Sequence, residues 1–127
     1  MASTLNVPAN IFFGVSFIIP LGYKASVTVS GTWSYSPGRS CGASGNGIFL
    51  PNMPNAGAPQ GCLLWLVETL GGASAPQDVR GWFTGDNQTI IWGGTTPGDG
   101  RYRFSCNDDN LSDNSGQLTL TYDIQPR

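Results

Sequence analysis

The chain has 127 residues, a formal net charge of −2, no histidine, and charged side chains at only 11% of its positions. That length supports one domain, 1–127, with a real core and leaves no room for a second domain of ordinary size. The scarcity of Lys and Arg excludes the basic footprint by which proteins displace counterions from nucleic acid. The missing imidazole excludes Ser-His-Asp and Cys-His nucleophile activation and the common catalytic zinc sites.

Glycine and proline are spread along the chain and no apolar i, i+3, i+4, i+7 pattern persists, so strands are expected and helices should be rare. The first predicted strand is Ile11–Ile19, within the apolar stretch NIFFGVSFIIPLG. That stretch has no preceding Lys or Arg, contains Pro20 and Gly22, and is too short to cross a bilayer or to read as a signal peptide. Cytoplasmic synthesis and retention are therefore expected, with release by another route as the alternative. The second strand is Ser26–Tyr35, in which Val27 and Val29 alternate with Ser26, Thr28 and Ser30.

A long irregular stretch, Ser36–Gly61, follows. Loops of that length are uncommon in small domains and often bind something. Its GASGNG run has the flexible backbone of a phosphate cradle but neither a lysine nor a following helix, so a nucleotide site is not expected. Strands Cys62–Thr69, Val79–Thr84 and Thr89–Trp92 come next, then an irregular Gly93–Gly100. The last two strands are Arg101–Cys106, with Tyr102, Phe104 and Cys106 opposing Arg101, Arg103 and Ser105, and Gln117–Ile124, with Leu118, Leu120, Tyr122 and Ile124 on one face. Seven or more short strands of this kind predict an all-β, two-sheet β-sandwich with a jelly-roll topology.

Cys41, Cys62 and Cys106 are odd in number and widely spaced, which fits neither a disulfide framework nor a C-x-x-C zinc site. They read as small core residues, with a Cys41–Cys62 bridge as the alternative. Trp33 and Trp65 occupy alternating strand positions and read as core. Trp82 and Trp92 sit beside glycines and could serve as a sugar-stacking platform or in a subunit contact. The one glutamate, Glu68, has no carboxylate partner that spacing can supply, so glycoside hydrolysis and enzymatic turnover in general are not expected.

The most chemically loaded stretch is CNDDNLSDNSGQLTLTYDI, Cys106–Ile124. Asp108, Asn110, Ser112 and Asn114 fall on the alternate positions of an EF-hand ligand string. The rest of that motif fails, since Asp113 stands at the bend glycine, Thr119 at the bidentate glutamate, and the flanks are strands. What survives is a set of hard oxygen donors in one short loop, a composition suited to Ca²⁺. The same residue types also make Asx-turns with no metal at all, and both readings stay open at this point.

Two motifs, the ND followed by DNSG before an alternating strand and VTVSGTWSYSPG at Val27–Gly38, resemble the PA-I galactophilic lectin (lectin A) family of small calcium-dependent bacterial lectins. The resemblance spans about Val15 to Ile124. It implies a galactose-binding-domain-like jelly roll with one Ca²⁺ at its end, coordinating two adjacent hydroxyls of a terminal galactose. By position it implies metal ligation by the Tyr35 carbonyl, the Asp108 side chain, the Asn110 carbonyl and the Asp113 and Asn114 side chains, and it implies a homo-oligomer, a tetramer being favoured. The segment between Asp108 and Asp113 is about two residues shorter than the family pattern, which leaves Asp109 as an alternative to Asp108. The family's His-Pro-x-Gln sugar contact has no histidine here. LPNMPNAGAPQG instead offers Asn52, Asn55 and Gln60, so the sugar-side set is Tyr35, Asn52, Asn55, Gln60, Asp108, Asp109, Asp113 and Asn114. The competing expectation is a structural or assembly jelly roll that binds neither metal nor sugar.

Overall fold

The strand that organises the larger sheet is the last one. In the computed structural model, which describes residues 2–70, 79–91 and 99–126, it runs from Ser115 to Pro126 and is numbered β10. Its partners are β1 (Ser3–Pro8), β3 (Tyr23–Ser30) and β4 (Trp33–Ser36), all antiparallel. The sheet is completed by β5 (Arg39–Cys41) beside β4 and by β8 (Asn87–Ile91) beside β3, so its order is β5-β4-β10-β3-β8 with β1 also on β10. The second sheet has the order β2-β9-β6-β7, built from Val15–Ile19, Asp99–Cys106, Leu63–Leu70 and Val79–Trp82. A single 3₁₀ turn, Leu111–Asp113, lies between β9 and β10.

The expected all-β, two-sheet sandwich is therefore what the chain forms, and its alternating strands bury the faces that their period assigns. Val27, Val29, Phe17, Ile19, Tyr102, Phe104, Leu118 and Leu120 meet between the sheets with Val7, Trp33, Leu63 and Val67. Phe17 stacks on Tyr122 with ring centroids 4.1 Å apart and also touches Phe104 at 5.2 Å. Each fully buried large side chain of this kind stabilises the fold by roughly 1.5–3 kcal/mol relative to exposure.

Several boundaries differ from the sequence expectation. Ile11–Gly14 is loop, so the strand expected at Ile11–Ile19 begins at Val15, and Phe13 there takes a φ of 49°. The strand expected at Ser26–Tyr35 is one ladder broken in two. Ser30 faces Thr119 and Trp33 faces Gly116 in an unbroken register along β10, but Gly31, with φ of 93°, interrupts the pairing. Two short strands were not expected. β1 is short and closes at Pro8, and β5 is the first part of the stretch read as irregular, turned back onto β4 through Pro37 and Gly38.

Ser105, expected on a wet face, is fully buried. The reason is a second, smaller apolar cluster on the outside of the second sheet: Phe13, Ala58, Cys62 and Leu64, flanked by Leu66 and Trp82. Ser105 lies opposite Leu64 in that sheet, so the loop that covers Leu64 covers it as well.

Candidate functional site

The long loop after β5 is pinned by one side chain that the sequence reading passed over. Asn107 follows the last residue of β9 and is fully buried. Its Nδ2 lies 3.0 Å from each of the Asn55, Ala58 and Pro59 carbonyl oxygens, and its Oδ1 accepts from the Asn55 N–H at 3.0 Å. Its own backbone exchanges bonds with Gly61 and Cys62. Gly61 is required where it sits, since a Cβ there would lie 2.7 Å from the Cys41 Sγ and 3.0 Å from the Tyr35 ring, at a φ of 78°. Its carbonyl accepts from the Trp33 indole at 2.7 Å. Main-chain and side-chain bonds thus hold residues 42–61 against the end of β9.

The next residue is treated differently. Asp108 is only 5% exposed and Asn114 only 6%, yet Oδ2 of the first and Oδ1 of the second are buried with no hydrogen-bond partner among the described residues. The Asn114 Nδ2 donates to the Ala9 carbonyl at 3.0 Å, which fixes the amide so that its oxygen is the atom left over. Burial pushes the Asp108 carboxyl above its ordinary range, and the neighbouring Asp109 carboxyl adds to the rise. The Asn114 amide and the backbone N–H groups of Asn110 and Asp109 pull the other way. Asp108 and Asn114 are thus neighbours in space, brought together from either side of the turn that separates them in sequence.

The remaining predicted residues divide into those gathered here and those engaged elsewhere. Asp109 is exposed and accepts from the Asn52 amide, which ties the long loop to the cluster. Asn55 caps the Gly57 N–H at 3.0 Å with its own Oδ1, and Gln60 accepts from the Asn46 amide at 3.0 Å, so both serve the loop's own shape. Asn110 caps the 3₁₀ turn, its Oδ1 accepting from the Ser112 N–H and Oγ at 3.2 and 2.6 Å, so its side chain is spent on the turn itself. Asp113 is exposed in that turn. Tyr35 has its ring in the core, so its contribution to anything at the loop has to come from the main chain; β4, which carries it, packs against the 3₁₀ turn.

Among the described residues no three His, Cys, Asp or Glu side chains converge tightly enough to hold a metal by themselves. The donor set that is present is mixed: one buried carboxylate oxygen, one buried amide oxygen, a second exposed carboxylate and nearby carbonyls. Those are hard oxygen donors, the chemistry a calcium ion takes in flexible six- to eight-fold coordination. Orphaned buried oxygens on two neighbouring residues fit such an ion, because a polar atom buried without a partner costs about 1–3 kcal/mol that a cation would recover.

Elsewhere the structure is chemically quieter. Glu68 bridges Arg103 at 2.8 Å and Arg101 at 3.6 Å on the outer face of the second sheet. Cys41, Cys62 and Cys106 are free thiols, two of them buried, as expected for small core residues. Burial pushes the Cys41 thiol up to about 11 and the Cys62 thiol up to about 12. Trp33 is buried, Trp65 is half-buried against the core with its Nε1 buried and unpartnered among the described residues, and Trp82 flanks the second cluster. Trp92 and most of the irregular stretch Gly93–Gly100 lie outside the described residues. No protein-family model matches the chain, and no curated protein is detectably similar to it.

Proposed function

We propose that this protein is a calcium-dependent carbohydrate-binding lectin, without catalytic turnover, whose site is the end of the sandwich formed by residues 107–114. The observation that carries the reading is the pair of orphaned buried oxygens, Asp108 Oδ2 and Asn114 Oδ1, adjacent to a residue, Asn107, whose polar atoms are all engaged. Asp108, Asp113 and Asn114 by side chain, and Tyr35 and Asn110 by carbonyl, are the residues that would hold Ca²⁺. A bound calcium ion supplies open coordination positions to two adjacent sugar hydroxyls. The carboxylates of Asp108 and Asp113 and the amide oxygen of Asn114 accept the hydroxyl protons, and bonds to the ionised groups are the strong ones. Asn52 and Asp109, joined by a hydrogen bond, are the sugar-side pair of this reading, while Asn55 and Gln60 stay engaged in the loop's own bonds. Galactose is the favoured sugar on the resemblance of the two motifs, which also supports assembly into a homo-oligomer, a tetramer first, so that weak single sites act together.

The test is thermal. With Ca²⁺ at about a hundred times its dissociation constant the folded state gains roughly 2.7 kcal/mol, a rise of several degrees in Tm that EDTA should reverse. No calcium-dependent shift would remove the reading, and a glycan array run with and without EDTA then identifies the sugar. A second reading has its own observation: Asn110 spends its side chain on capping, as in a plain turn. A structural or assembly sandwich with no ligand predicts equal melting in calcium and chelator.

A further inference from the structure

The same end of the molecule carries a feature that neither the cation nor the sugar uses. The β1–β2 loop exposes Ile11 and Phe12, and the long loop exposes Ile48 and Phe49, each between 48% and 58%. These pairs stand on supports that are themselves fixed. Phe13, next to Phe12, is buried against Ala58 and Cys62 in the second cluster. Ala9 bonds Gly116 through its N–H at 3.1 Å and Asn114 through its carbonyl at 3.0 Å. The Ile48 carbonyl accepts from Gln60 at 2.7 Å, and the Ile48 N–H donates to Asn46 Oδ1 at 2.8 Å. Phe12 also packs edge-on against the buried Phe13, ring centroids 4.6 Å apart, but about half of the surface of each of Ile11, Phe12, Ile48 and Phe49 stays exposed.

We propose that this end docks on the surface of an electrically neutral lipid bilayer, with Ile11, Phe12, Ile48 and Phe49 entering the interfacial region. Three observations choose that occupant. First, the stretches from Ala2 to Tyr23 and from Ser40 to Val67 contain no Asp, Glu, Lys or Arg, so both loops can leave bulk water without desolvating a charge. Second, with no basic residue in either loop and Asp108, Asp109 and Asp113 close by, there is nothing to attract anionic headgroups, and zwitterionic lipid is the complementary surface. Third, four half-exposed side chains of these sizes offer on the order of 400 Å², about half of what each partner contributes to a stable protein–protein interface. Exposed loop side chains of that area suit shallow, reversible insertion, as in other interfacial anchors. Among the described residues no helix is long and apolar enough to cross a membrane, so the contact proposed is peripheral.

The test uses the full chain with phosphatidylcholine vesicles in EDTA, so that its outcome does not depend on calcium or sugar. Wild-type protein should co-sediment with the vesicles and the F12S/F49S variant should partition about tenfold less, with I11S/I48S between them, as expected when apolar area drives interfacial binding. Both variants alter exposed side chains; F12S/F49S also removes the Phe12–Phe13 edge contact, so it should melt a few degrees below wild type while remaining folded at the assay temperature. The proposal is overturned if wild-type protein stays in the supernatant, if F12S/F49S binds vesicles as well as wild type, or if vesicles bearing anionic lipid are required. It is also overturned if gel filtration shows a wild-type oligomer that F12S/F49S dissolves without any vesicle binding, which would make the patch a contact between copies of the chain.

Discussion

Asn107 and the Asp108–Asn114 pair are next to each other, comparably buried and made of the same kinds of atoms, yet they do opposite things. Every polar atom of the Asn107 side chain is bonded, and its partners are backbone groups of a loop some fifty positions earlier. Asp108 and Asn114 each keep a buried oxygen with no partner among the described residues. The first arrangement is architecture, since a satisfied buried amide rigidifies what it touches. The second has a cost within the chain alone, and that cost is the observation on which the proposed cation site rests.

That contrast can be broken by mutation. The largest effect is expected from N107A, which strands the carbonyls and N–H that Asn107 serves. At about 1–3 kcal/mol for each group left unsatisfied, the loss should reach roughly 3–5 kcal/mol, a fall in Tm of more than about 10 °C by calorimetry. A fall under about 3 °C would show that water or a shifted loop replaces the amide and that Asn107 is no clamp. D108N is the mirror case. Removing a carboxylate whose buried Oδ2 is unpaired should leave the chelator-treated protein as stable as wild type, or more stable by about 1 kcal/mol, while abolishing any calcium-induced rise in Tm. D113A, at an exposed position, should leave the melting curve in EDTA unchanged and likewise abolish the calcium response and glycan binding. Glycan binding that survives in D113A would move the site elsewhere.

The thiols sharpen the comparison, because they are buried groups that stay neutral and cost little. Cys62 has its pKa raised from 9.0 to about 12 by burial. The folded state therefore holds the proton where the unfolded chain releases it, and stability must fall as pH rises above 9. At pH 10 the loss from Cys62 is about 1.4 kcal/mol, readable as a lower urea midpoint than at pH 8. Cys62→Ser should remove that part of the pH dependence. The smallest effect belongs to the surface: E68A, which deletes a partly exposed bridge to Arg101 and Arg103, should cost less than about 1 kcal/mol.

The strands were largely legible because alternation is local. Val27 and Val29, Tyr102 and Phe104, Leu118 and Leu120 declare their buried face by period alone, and the sandwich follows from how many such segments there are. Gly31 splitting one ladder, and Phe13 adopting a left-handed backbone, were not legible, since the first depends on what lies across the sheet and the second on the Ala58 and Cys62 side chains that Phe13 packs against. For the site, residue types and spacing singled out Asp108, Asn110, Ser112 and Asn114 as an oxygen-rich turn, and Asp113 was added only by the family resemblance. They did not separate Asn107 from its neighbours, because an asparagine that clamps a loop and one that makes a turn have the same side chain. Burial of Ser105 beneath a second cluster, the Ala9 carbonyl that orients Asn114, and the exposure of Ile11, Phe12, Ile48 and Phe49 were likewise decided only by the tertiary structure. The reason is physical: pattern is a property of a segment, whereas satisfaction of a buried polar atom depends on which distant backbone groups the fold brings within 3 Å of it.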